Sequence, residues 1–377
     1  MNNNLAPTFK KLFGSYWMLW YKKSNIYSVV DTDFKTILYQ YFDCASLDDF
    51  KTKIASISPS LDYYTIAQNL QTYLEQCNAE YSLDKHLESI NIDSKCSITK
   101  TYSINGKVLQ INFSSDTVQK TIHPSIAHLE TNSLSYPNVI FDLFLDNDNL
   151  CLLKNKALIK TVPKRDYHKI QGKFAMELFC FIYNNKEEDW LGTFHGCTIA
   201  DGENAILFIG ESGKGKSTLS ALLTAQDFEL VADDVSPMLA YDSCIYHNPS
   251  AISIKKGAFN LLKPLINDFD LFPEVIFNKA KGIIKYVPCK KPLKDKYPCK
   301  AIIMVNYTKN AETKLDLVSI KEALETLVPE SWLSPNPDHA EYFLDWLSKT
   351  PIYKLTYSNT ESVTEEISKC FKQLREQ

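Results

Sequence analysis

At 377 residues, with 45% hydrophobic and 23% charged side chains, the chain exceeds one ordinary domain, so two or three packed units are expected and a low-complexity chain is excluded. A formal charge of −4 excludes a global basic field for recruiting nucleic acid. The ten cysteines stand singly with no C-x-x-C pair, which argues against a zinc site or disulfide framework and for a reducing compartment.

The N-terminal MNNNLAPTFKKLFGSYWMLWYKK lacks the unbroken apolar core and small-residue cleavage site of a secretory signal. Its aromatic run from Phe13 to Tyr21 is too short to span a bilayer. A cytoplasmic protein with no membrane partner is therefore expected, the aromatic run packing in a core or interface. Residues 1–90 read as a small, mostly helical module. Ile26–Asp31 has strand character, Phe34–Phe42 is helical, and Ser46-Leu47-Asp48-Asp49 opens a helix with Phe50, Ile54 and Ile57 on one face. Tyr64–Cys77 continues with Ile66, Leu70, Tyr73 and Leu74 at helical spacing. One strand followed by three short helices is similar in pattern to PqqD-like peptide-recognition modules, which hold leader peptides in natural-product biosynthesis.

Residues 91–188 read as a β-rich lobe. Ser97–Ile104 and Lys107–Phe113 flank Asn105-Gly106, a two-residue hairpin signal. Val139–Leu145 and Leu150–Leu153 flank a second polar turn, and a helix is expected over His168–Tyr183. His123 and His128 have no thiol or carboxylate pattern around them and read as ordinary sheet residues.

The third domain, 189–377, carries the chemistry. A strand over Leu191–Ala200 turns at Asp201-Gly202-Glu203-Asn204 into the apolar strand Ala205–Ile209. That strand ends in Gly210-Glu211-Ser212-Gly213-Lys214-Gly215-Lys216-Ser217, a full G-x-x-x-x-G-K-[ST] phosphate loop. Glycines let successive N–H groups turn toward phosphate oxygens. A helix opening at Ser217 aims its positive dipole end at the same anion. Lys216 brings a point charge to the outer phosphates, and the Ser217 hydroxyl can ligate Mg²⁺. Gly210 through Thr218 (Thr218 following the motif) are thus the candidate nucleotide-binding residues, with ATP and Mg²⁺ the expected cofactors. A second short strand, Phe228–Ala232, delivers Asp233 and Asp234. Paired carboxylates allow one to serve the metal, with Ser217, and the other to act as a base on an incoming hydroxyl. Further strands are expected at Met238–Ala240, Cys244–His247, Ala251–Gly257, Ile283–Pro288, Ala301–Tyr307 and Ile352–Tyr357. Helices are expected at Ser319–Val328, His339–Leu347 and Glu361–Leu374.

His195-Gly196, the Gly210–Ser217 loop and Val231-Ala232-Asp233-Asp234 together resemble the catalytic core of the HPr kinase/phosphorylase family. The resemblance covers about forty residues. It implies an α/β fold with a nucleotide-binding core of the HPr kinase/phosphoenolpyruvate carboxykinase type, a mixed sheet with flanking helices. It implies that Lys216 neutralises the β/γ-phosphates, Asp234 accepts a proton from a substrate hydroxyl, Asp233 supports the metal or the base, and His195 sits beside the transferring phosphoryl group. Self-association into a homo-oligomer is implied as well. The family's downstream Glu-Ile-Arg-Gly block has no counterpart between Asp234 and Leu317. Phe259 falls where the Glu is expected, and Lys255, Lys256 and Lys285 could replace the Arg's positive charge, though without its bidentate fork, the alternative being solvated lysines. The expected function is ATP- and Mg²⁺-dependent phosphorylation of a Ser or other hydroxyl on a peptide or small protein, including in peptide natural-product modification. Alternatives are a carboxykinase-like metabolite phosphotransferase, disfavoured by the scarcity of Arg around the motifs, and a nucleotide-binding regulatory protein with little turnover.

Overall fold

The computed structural model describes residues 3–57, 62–80, 96–132, 135–276 and 282–376. These form two compact units. One takes the described residues up to 80 together with Val318–Ile352; the other takes those from 96 to Leu317 together with Tyr353 onward. The junction expected at 90/91 lies outside the described residues.

In the first unit, β1 (Phe9–Phe13), β2 (Tyr16–Tyr21) and β3 (Ile26–Asp31) form an antiparallel meander. The aromatic segment read as general core packing is therefore largely sheet, turned at Gly14 with φ 58°. Alternation along β2 sends Leu19 and Tyr21 to one face. There they meet Leu38, Phe50, Ile54, Leu70 and Leu74 from the helices Thr32–Phe42, Leu47–Ile57 and Tyr63–Cys77. Asp31 and Asp62 cap two of these helices, accepting from the Phe34 and Tyr64 N–H groups. The helix Pro337–Lys349 belongs to the same unit: Phe343 packs in a T-shape on Tyr27 at 5.4 Å, and Lys11 pairs with Asp345. That contact is why Val318–Ile352 groups here, where the sequence kept it within 189–377.

The second unit contains two large sheets. β4 (Ile98–Ile104), β5 (Lys107–Phe113), β6 (Val139–Asp146), β7 (Asn149–Lys154) and β8 (Ala157–Pro163) lie in that order, β5 and β6 parallel and the others antiparallel. The helix Tyr167–Tyr183 covers this sheet with Ile170, Phe174, Leu178 and Ile182. His123 Nδ1 lies 2.8 Å from Tyr102 Oη, a satisfied structural histidine.

The other sheet is built from β9 (Trp190–His195), β10 (Cys197–Ala200), β11 (Ala205–Ile209), β12 (Glu229–Ala232), β13 (Val235–Leu239), β14 (Cys244–Tyr246) and β18 (Lys296–Tyr307). The order is β12-β10-β11-β18-β14-β13-β9, with the Ile352–Tyr357 strand also on β18 and β19 (Lys314–Leu317) beyond it. β11 runs parallel to β18 while β10 runs antiparallel to β11, so the sheet is mixed. β18 is long enough to serve two neighbours: residues 296–298 pair with β14 and 299–304 with β11. A small antiparallel sheet of β15 (Ile252–Lys255), β16 (Glu274–Ile276) and β17 (Ile283–Val287) completes the unit. The molecule is thus an α/β chain with several sheets. Among the described residues no helix is long and apolar enough to cross a membrane.

Candidate active site

All five residues of β11 are buried, and Ile206 and Phe208 pack on Leu219, Leu222 and Leu223 of the helix Lys216–Thr224. This packing sets strand and helix at a fixed angle around the Gly210–Gly215 loop. Glycine is required at the first position: φ is 147°, and a Cβ there would stand 2.9 Å from the Val305 carbonyl oxygen. Gly213 and Gly215 have φ of 90° and 96°, in the left-handed region. Lys216 is buried, and its ammonium donates to the carbonyls of Gly210 (2.5 Å) and Glu211 (3.4 Å). It therefore spans the loop mouth from inside. Glu211, Ser212 and Gly213 line the exposed rim, with Lys214, Ser217 and Thr218 half-buried behind them.

The sequence reading ran Leu191–Ala200 as one strand, but the structure breaks it at Gly196. A Cβ at Gly196 would lie 2.5 Å from the Phe208 carbonyl oxygen, so only glycine lets the chain cross there. The break lets β9 pair with β13 and β10 with β11 and β12. Register then gathers the chemistry: His195 stands opposite Val235, and Thr198 opposite Ala232. Both ends of the acidic dipeptide are pinned this way.

Asp233 and Asp234 link β12 to β13 through a tight turn. The Val235 N–H donates to the Asp233 carbonyl at 2.7 Å, and Asp234 holds φ 65°, the i to i+2 bond of a strained γ-turn. The Asn248 amide donates to the carbonyls of Val235 (3.0 Å) and Asp233 (3.5 Å), while Gly196 N–H donates to the Asp234 carbonyl at 3.3 Å. Behind them the buried pair Thr198 and Ser236 is joined at 2.7 Å, and Ser236 donates to the Gly196 carbonyl. The turn is thus fastened on three sides.

The two carboxylates end in different surroundings. Asp233 is 2% exposed; its Oδ2 accepts from the Ser253 N–H (3.1 Å) and the Ser217 hydroxyl (3.3 Å). Its Oδ1 has no hydrogen-bond partner among the described residues. Burial, reinforced by the charge of Asp234, pushes its pKa up to about 7 despite the Ser253, Ser217 and Lys216 contributions. Asp234 is exposed, and its Oδ1 lies 3.5 Å from His195 Nδ1. One acid is held dry against Ser217, and its neighbour faces outward beside an imidazole.

This set fits a small hard cation. An orphaned buried carboxylate oxygen and a serine hydroxyl are oxygen donors, and Mg²⁺ takes one or two carboxylates with phosphate and water filling its octahedron. Among the described residues no group of three or more His, Cys, Asp or Glu is placed to hold a metal by itself. Ser217 and Asp233 are the residues that would hold Mg²⁺.

The lysines considered as stand-ins for an Arg separate clearly. Lys285 is buried and donates to the carbonyls of Phe269, Asp270 and Phe272 at 2.8–3.2 Å. Its charge is spent on the chain turn, so it is structural. Lys255 and Lys256 are exposed at the end of β15. Phe259 opens the short helix Phe259–Leu262 and packs on Phe269 at 5.5 Å, which leaves no carboxylate at that place. Sequence reasoning missed Ser253, Asn248 and Tyr286. Ser253 and Tyr286 are register partners in β15 and β17, and burial, with the charge of Asp234 and smaller contributions from Tyr167 and Asp233, pushes the Tyr286 pKa up to about 12. None of the three sits in a motif; pairing brings them in.

No protein-family model matches the chain, and no curated protein matches it. Among solved structures, the Hpr(Ser) kinase/phosphatase of Coxiella burnetii is similar to 48% of this chain and 92% of its own, at 12% identity and a TM-score of 0.24. The likeness is weak and assigns no family.

Proposed function

We propose that the chain is an ATP- and Mg²⁺-dependent kinase that phosphorylates a hydroxyl, a Ser on a peptide or small protein being the favoured acceptor. The observation that carries this is the split acidic pair: Asp233 buried on Ser217 of the phosphate loop, Asp234 exposed beside His195. A site that only bound nucleotide has no use for the second, outward carboxylate.

In this mechanism the loop N–H groups and Lys216 hold the β/γ-phosphates. Mg²⁺, when bound, neutralises charge that builds on the phosphoryl oxygens. The acceptor hydroxyl attacks the γ-phosphorus as the bond to the β–γ bridging oxygen breaks and ADP leaves. Asp234 receives the hydroxyl proton, and His195 orients its carboxylate. The exposure of Asp234 gives an acceptor access, and the strained turn holds the carboxylate outward before the substrate arrives.

The test incubates the protein with γ-labelled ATP, Mg²⁺ and a Ser/Thr/Tyr-containing peptide library. Label on a peptide, absent from Asp234→Asn, supports the kinase. ATP binding with no transfer to any acceptor or water supports the regulatory alternative and sinks the kinase reading.

A further inference from the structure

The two flanks of the phosphate loop are chemically unlike. In the strand order β12-β10-β11-β18, the acidic turn lies on the β12 side of the loop and the end of β18 on the other. β11 and β18 are parallel, with Ile209 opposite Met304, so both strands release their chains at the same edge. Ligands of parallel sheets bind at that carboxyl edge. β18 ends in Tyr307, whose N–H donates to the Lys214 carbonyl at 3.3 Å. A Cβ on Gly215 would lie 3.4 Å from Tyr307 Cβ and 3.1 Å from the Tyr357 hydroxyl, so these tyrosines form the wall of the loop on this side. Tyr357 is 2% exposed, whereas Tyr307 is 48% exposed. Their rings form a T-shaped pair at 5.6 Å and 76°. The buried ring thus fixes the exposed one, and an apolar face is left in water beside an anion-binding loop.

Resting on the nucleotide reading above, we infer that Tyr307 is the stacking platform for the heterocyclic base of the nucleotide. If the transferring phosphate lies toward Asp234, a triphosphate laid across the loop runs its other end toward β18, where Tyr307 stands. A flat ring held by its neighbour loses little conformational entropy on stacking, and aromatic stacking on a base is tolerant of base identity. The face makes no readable hydrogen-bond code, so the site prefers large stacking bases without strict selection.

Isothermal titration calorimetry of the full chain tests this, with Mg·ATP and inorganic tripolyphosphate as probes and Tyr307→Ala, Tyr307→Phe and Lys216→Ala as variants. Expected is a loss of ATP affinity of about tenfold in Tyr307→Ala, with tripolyphosphate affinity unchanged and ATP affinity kept in Tyr307→Phe. Unchanged ATP affinity in Tyr307→Ala, or equal losses for ATP and tripolyphosphate, overturns the stacking role while leaving the nucleotide site standing. Wild-type protein that binds neither probe overturns the nucleotide reading and this role with it. Lys216→Ala is expected to weaken both probes, which separates a phosphate contact from a base contact.

Discussion

Asp233 and Asp234 share a peptide bond, but one is 2% exposed on Ser217 and the other faces outward beside His195. A single residue in positive φ divides them, because reversing the chain at Asp234 turns consecutive side chains apart. Similar precision governs the neighbours. Gly196→Ala places a Cβ 2.5 Å from a backbone oxygen that cannot yield alone. A destabilisation of about 2–4 kcal/mol is expected, read as a fall in the urea midpoint with an unchanged m-value. Lys285 gives the complementary case. Lys285→Met leaves three carbonyls without their cation and is expected to cost about 2–4 kcal/mol in stability. Its ATP affinity, measured on the folded fraction, should match wild type; a large loss of affinity at unchanged stability would show that Lys285 serves phosphate after all.

At the scale of elements, the turn of strand into helix at Gly210–Gly215 and the turn at Asp233-Asp234 were legible because tight turns demand their residue types at fixed spacing. The hairpin at Asn105-Gly106 and the helices Thr32–Phe42 and Tyr63–Cys77 were legible from turn chemistry and periodicity. What sequence could not show is long-range pairing. β2 hid in an aromatic run because Met18, Leu19, Trp20 and Tyr21 are all buried, which erases the alternation a half-exposed strand displays. The break at Gly196 was unreadable because its cause, the Phe208 carbonyl, lies twelve residues away in another strand. His247 follows β14 directly. His247 donates its N–H to the Asp295 carbonyl and accepts from the Tyr183 hydroxyl at its own carbonyl. Burial, with Lys291 and His128 adding to it and Asp295 opposing, pushes its pKa down to about 4. The unfolded chain titrates near 6.5, so between those values it binds the extra proton. Its contribution to stability is full above pH 6.5 and falls as the pH drops toward 4, by on the order of 3 kcal/mol. Urea titrations at pH 7.5 and 4.5 should show this fall reduced in His247→Gln; an identical fall in the variant would place its origin elsewhere.

For the molecule as a whole, ligand linkage ties the site to global behaviour. The loop, the acidic turn and the β18 end all belong to the unit of residues 96–317 and 353–376. Saturating Mg·ATP at about 100 times its Kd should stabilise that unit by about 2.7 kcal/mol. Thermal unfolding should therefore show a transition that rises with Mg·ATP in wild type and stays fixed in Lys216→Ala. The β12 and β11 strands bring the acidic turn and the Gly210–Ser217 loop to one sheet edge, and the proposed phosphoryl transfer needs both at once. The most direct test is single-turnover transfer from γ-labelled ATP to a hydroxyl peptide, measured for wild type and Asp234→Asn alongside ATP affinity. Transfer by wild type that falls about 10²–10⁴-fold in Asp234→Asn, at unchanged ATP affinity, is the expected result. Equal transfer rates in the two proteins, or ATP bound by wild type and never transferred, would contradict a kinase built on this acidic turn.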